Sequence, residues 1–142
     1  MSETITRLHH ALPVTGERHN RYCGPAAIAA LTGISTGQAA AMIRDVSNRP
    51  WVKGTSTNQM LDVLSSLGLE VADSVTYYPM TRVTLRRWAS EFWTGGLALV
   101  EAMNHWWAMD SGYFVDSWNR MPTPVSELHN PKSYVCNVFY LE

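Results

Sequence analysis

Residues 23–33, Cys-Gly-Pro-Ala-Ala-Ile-Ala-Ala-Leu-Thr-Gly, contain no charged side chain. Pro25 suits the first turn of a helix, residues 26–31 are strong helix formers, and Gly33 is a natural stop. A short helix with no polar face has to be enclosed, so the remainder of the chain must be built around it. One of only two cysteines, Cys23, stands at its entrance. Free cysteine is a small hydrophobe at home in interiors. The first turn of a helix, with its partial positive charge and unpaired N–H groups, is also where a thiol is activated.

The bulk properties narrow the choice of setting. A chain of 142 residues is most simply one domain, burying about two-thirds of its unfolded surface. No apolar run approaches the roughly 20 residues of a membrane span, and the first 25 residues hold charges and no signal-type apolar stretch. The expectation is a cytoplasmic protein with no membrane partner. A net charge of −1 gives no electrostatic footprint for nucleic acid. Cys23 and Cys136 have no metal-type spacing, and no secretory signal supports a disulfide between them. No metal or organic cofactor is implied.

Residues 1–20 are polar, hold His9, His10 and His19, show no period, and read as an extended arm. A second helix is expected from Thr36 as N-cap to Arg44, and a third from Thr57, with Met60, Leu61, Leu64 and Leu67 at helical spacing before Gly68. Residues 69–78 have strand composition. Residues 84–93 read as a fourth helix with Leu85, Trp88 and Phe92 on one face. From Leu97 the period changes to two: residues 97–103 and 105–109 are strand-like, Asp110-Ser111-Gly112 is a turn, and residues 113–118 return. Residues 133–141 close as a strong strand. The layout is α+β, N-terminal helices packed on a C-terminal antiparallel sheet within a single domain, 1–142.

A thiolate at a helix start needs a proton shuttle, and among five histidines only His105 opens a strand. A third group must then fix the imidazole tautomer. A two-residue Ser111-Gly112 turn pairs Asp110 with Tyr113, which puts His105 and Asp116 on one face as diagonal neighbours. Asn119 and Asp110 are rivals for that role. Cys136 lies in an alternating strand and reads as core. Trp106 and Trp107 must point to opposite faces, one toward the core and the other lining a substrate cleft. The Arg82, Arg86, Arg87 group reads as a solvated helix face.

Cysteine before a helix, histidine opening a strand and Asp or Asn on the next strand, in that order, resembles the papain-like cysteine peptidases. The stretch "CGPAAIAAL" is most similar to their compact branch, the double-glycine peptidases that cleave bacteriocin leaders. "DSW" at 116–118 is similar to the Asn-Ser-Trp of papain-like enzymes, with Asp in place of Asn. The resemblance implies a thiol hydrolase of bacterial or bacteriophage origin, acting on a protein or peptide substrate through Cys23, His105 and Asp116. It implies that Trp118 covers the His–carboxylate bond. In those families a glutamine about six residues before the cysteine completes the oxyanion hole. Here that position is Glu17, and the nearest amide donor is Asn20. A deamidase, a transglutaminase-like enzyme or a cell-wall amidase with the same triad is the alternative within this chemistry. A catalytically silent protein-binding module is the alternative outside it.

Overall fold

The computed structural model describes residues 6–17, 22–52, 54–128 and 131–142. The charge-free segment forms α1 (Cys23–Thr32), every residue of which from Cys23 to Leu31 is buried. Gly33 ends it in the left-handed conformation at φ 86°, its N–H bonded to the Ala29 carbonyl. Two further helices, α2 (Thr36–Ser47) and α3 (Thr57–Ser66), pack beside it. Their N-caps are Ser35 and Ser56, one residue before the expected threonines. Each serine forms a reciprocal box with a glutamine three residues on, Ser35 with Gln38 and Ser56 with Gln59. That box satisfies two otherwise orphaned N–H groups, which a threonine cap one residue later has no partner to reproduce.

The sheet has six antiparallel strands: β1 (Val71–Thr76), β2 (Ala98–Ala102), β3 (His105–Asp110), β4 (Tyr113–Val115), β5 (Thr123–Pro124) and β6 (Val135–Leu141). Their order is β1-β6-β2-β3-β4-β5, so the C-terminal strand is inserted between the first two. Its apolar residues Val135, Val138, Phe139 and Leu141 are all buried, which suits an interior strand. The expected fourth helix is one turn, α4 (Leu85–Arg87), capped by Thr84, followed by a π-helical segment (Trp88–Phe92). The wider π turn rotates the pattern: Leu85 and Trp88 are fully buried, but Phe92 is exposed against Tyr77 and Arg87.

Apolar side chains cover both faces of the sheet. One core joins the three helices to Leu99, Trp106, Ala108 and Val115. The other lies on the opposite face, where Trp88, Val83 and Leu85 meet Val100, Trp107, Met109 and Phe114. The described part of the arm, residues 6–17, is irregular yet tied down: Leu8 and Ala11 are buried, and the His9 N–H bonds the Ala30 carbonyl at 2.8 Å.

Candidate active site

The α1 helix sets Cys23 against the sheet, where the thiol is 3 % exposed. Tyr22 at the cap position makes no side-chain cap bond, and the first turn holds no acidic residue. The positive end of the helix dipole is therefore left at the sulfur and the N–H groups beside it.

His105 is held by the hairpins on either side of it. The Met103-Asn104 turn, with both residues at positive φ (47° and 67°), pairs Ala102 with His105. The Ser111-Gly112 turn pairs Asp110 with Tyr113 and Ala108 with Val115, the register expected from the sequence. Asp116 follows directly, and its Oδ2 lies 2.9 Å from His105 Nε2. The Cys23 thiol is near enough to the ring to favour its protonated form. With Nε2 on Asp116, Nδ1 is the nitrogen left for the sulfur. The edge of the imidazole packs against the Trp107 ring at 4.3 Å between centroids.

Burial alone would push the His105 pKa down. The hydrogen bonds to Asp116 and to Cys23, together with the charges of both, overcome it and raise the value to about 9. Asp116 is fully buried. Its Oδ1 accepts from the main-chain N–H of Trp118 (3.1 Å) and Asn119 (2.8 Å) and from Asn119 Nδ2 (3.4 Å). The carboxylate is thus fixed from both sides, one oxygen for its own loop and one for the imidazole.

The rival residues have other work. Asp110 is buried at the far end of the hairpin, where it binds the Arg7 guanidinium, the Arg7 main-chain N–H and the Ser111 hydroxyl. Asn119 serves as a donor to Asp116. The expected substrate contacts at Trp106 and Trp107 are corrected: the two rings are 2 % and 1 % exposed and lie in opposite cores. Both sheet faces are covered, so neither alternating ring reaches an open cleft. Trp106 Nε1 donates to the Thr55 carbonyl, and Trp107 backs His105. The Trp118 ring is 57 % exposed, and its main-chain N–H is what bonds Asp116. Asn20, His19 and His129 lie outside the described residues.

Sequence reasoning missed the ion pair of Glu17 and Arg120. The Glu17 carboxylate is buried against the Arg120 guanidinium and also accepts the Val14 N–H. It has no N–H to offer an oxyanion. Nothing in the local sequence marks Arg120 as its partner, 103 positions away. Among the described residues no group of three His, Cys, Asp or Glu side chains is arranged to hold a metal ion. No single helix among them is long and apolar enough to cross a membrane.

The molecule has an α+β fold, with α1, α2 and α3 on one face of an antiparallel sheet and a cysteine opening the buried helix. Among solved structures it is similar to a double glycine motif protease from an AMS/PCAT transporter, crystallised in complex with the leader peptide. The TM-score is 0.55 over 97 % of this chain and 94 % of that one, at 16 % identity. The sequence matches no known protein family and no curated protein.

Proposed function

We propose that the protein is a cysteine-peptidase-like hydrolase that cleaves a peptide, isopeptide or amide bond through a thioester. The observation that carries this reading is the single imidazole bonded to a buried carboxylate at 2.9 Å and set beside a helix-start thiol that favours its protonated form. In the first half-reaction the Cys23 sulfur attacks the carbonyl carbon while the carbonyl oxygen takes negative charge beside the Cys23 N–H. His105 then gives its proton to the departing amine, and the C–N bond breaks to leave a thioester. Neutral His105 next takes a proton from water as the oxygen attacks the thioester carbon. The acid product leaves and the sulfur is restored. Asp116 keeps a proton on Nε2 throughout, which leaves Nδ1 for the shuttle. By analogy with the protease that binds a leader peptide, the substrate is an extended segment of a protein or peptide.

The test is iodoacetamide labelling with mass mapping across a pH series. Exposure alone ranks the partly exposed Cys136 ahead of the buried Cys23. The proposal expects the reverse order, with Cys23 modified faster than Cys136 throughout the series. Modification of Cys136 first, or of neither below about pH 8, overturns it. Cys23→Ala should abolish turnover and hold the substrate, giving a trap for it in host lysate. A Cys23→Ala chain with full biological activity would make the protein a binding module.

A further inference from the structure

We infer that Arg120 and Glu17 are positioning residues that set the aim of His105 through the Asp116 loop. The inference rests on the hydrolase reading and adds to it two residues that never meet the substrate. Arg120 is 13 % exposed in its side chain and Glu17 4 %. Among the described residues, the polar contacts of the guanidinium fall on the two segments that flank the triad. Its Nε donates to the Ser117 carbonyl at 2.8 Å, one residue after Asp116. Its Nη1 donates to the Ala11 carbonyl at 2.9 Å and approaches Glu17 Oε2 at 3.4 Å, while Nη2 meets Glu17 Oε1. The Arg120 carbonyl in turn accepts the Ala11 N–H at 2.7 Å. Glu17 stands six residues before Cys23.

The closed loop 117–120 is the one whose N–H groups, at Trp118 and Asn119, hold Asp116 Oδ1. If Arg120 releases Ser117, those donors move, and the carboxylate turns away from His105 Nε2. A chain of contacts therefore runs from Glu17 through Arg120, Ser117 and Asp116 to His105 and Cys23. A buried ion pair is a poor way to gain stability alone, because apolar residues of similar volume do as well. What a planar guanidinium supplies is a fork of fixed geometry that binds several acceptors at once. Here those acceptors belong to the strand end carrying Asp116 and to the segment leading toward the nucleophile.

The experiment compares wild type, Glu17→Gln, Arg120→Lys and Arg120→Met by three readouts. These are the Cys23/Cys136 alkylation ratio at pH 7, the His105 titration midpoint by NMR, and the melting temperature. The charged groups meeting the ring are Asp116 and Cys23. Loosening Asp116 should therefore lower the His105 midpoint and cut the Cys23 rate about tenfold in Arg120→Met, consistent with the sensitivity of reaction rates to sub-ångström misplacement. Arg120→Lys, which keeps the charge but not the fork, should lose part of that. In an Asp116→Asn background the Arg120 effect on Cys23 should vanish, because the residues act in series. Variants that melt earlier but keep the wild-type midpoint and ratio overturn the inference and leave the hydrolase reading intact. An Arg120→Met effect that persists undiminished in the Asp116→Asn background overturns it too. A wild-type chain whose Cys23 reacts no faster than Cys136 overturns the hydrolase reading itself, and the positioning role with it.

Discussion

Asp116→Asn separates what the resemblance implies from what this loop allows. Papain-like enzymes carry asparagine here, which suggests a mild effect; the surroundings of Asp116 argue for a severe one. Its Oδ1 faces three N–H donors, at 2.8, 3.1 and 3.4 Å, and its Oδ2 faces His105 Nε2. A carboxylate accepts on both sides, whereas an amide accepts on one. If the amide oxygen stays with Trp118 and Asn119, the NH2 group points at His105. The ring must then accept at Nε2 and carry its proton on Nδ1, the nitrogen meant for Cys23. If the amide is turned over, its NH2 group meets two main-chain N–H donors in a buried site. Each unmade buried hydrogen bond costs about 1–3 kcal/mol, so with two of them the turned-over form lies roughly 2–6 kcal/mol higher. At about 1.4 kcal/mol per factor of ten, the working tautomer falls by roughly 30- to 20,000-fold. Nitrogen-15 NMR of the imidazole reads the tautomer directly, and the pH 7 alkylation rate of Cys23 reads its consequence. A variant with His105 still protonated on Nε2, and a Cys23 rate within threefold of wild type, would refute the donor-count argument.

His105, with its pKa raised to about 9, should remain protonated at pH 7.5, where an ordinary histidine is neutral; an NMR titration midpoint near 6.5 would contradict this. Asp110 behaves in the opposite sense: burial favours its neutral form, but the bonds from Arg7 and Ser111 prevail and hold its pKa below the usual carboxylate value. Its stabilisation is full above the unfolded pKa and is lost as pH falls through the folded one, so Arg7→Ala should shrink the acid-side loss seen in urea midpoints between pH 5 and pH 2. Gly24→Ala would set a Cβ 2.6 Å from Thr55 Oγ1 and 2.9 Å from Thr55 Cβ. A loss of about 1–3 kcal/mol is expected by urea unfolding, with recovery on adding Thr55→Gly. Ser56→Ala should cost about 1 kcal/mol, and Thr57→Ala much less, because the serine carries the capping box; equal melting shifts would argue against it.

Where local chemistry settled the outcome, the sequence was legible. The charge-free run from Cys23 could only be a buried helix, and the Ser-Gly pair at 111–112 could hardly be other than a tight turn. Those two features bring Cys23, His105 and Asp116 together. What stayed hidden depends on distant partners. Alternation placed Trp106 and Trp107 on opposite faces but did not reveal that each face has its own core, since the second is built from residues 83–88 and 135–138, brought in from both sides of the chain. The π turn after Arg87 obeys no simple period, so the spacing that puts Phe92 in line with Leu85 and Trp88 does not hold. The Glu17–Arg120 pair joins residues 103 positions apart, and no spacing rule foresees it.

The hairpin of β3 and β4 also works as a ruler. Its strands run from His105 to Asp110 and from Tyr113 to Val115, and Asp116 follows at once. Adding or deleting one residue within either strand turns His105 and Asp116 toward opposite faces of the sheet. Any change in length has to be taken up at the tip, residues 111–112. There an inserted residue disturbs the bonds from Ser111 N–H to the Gly95 carbonyl and from Val125 N–H to the Gly112 carbonyl, but not the aim of the imidazole. An insertion scan of residues 105–116 should therefore find one tolerant window, at the tip, bounded on both sides by positions where a single added residue abolishes Cys23 reactivity while the tip insertion preserves it.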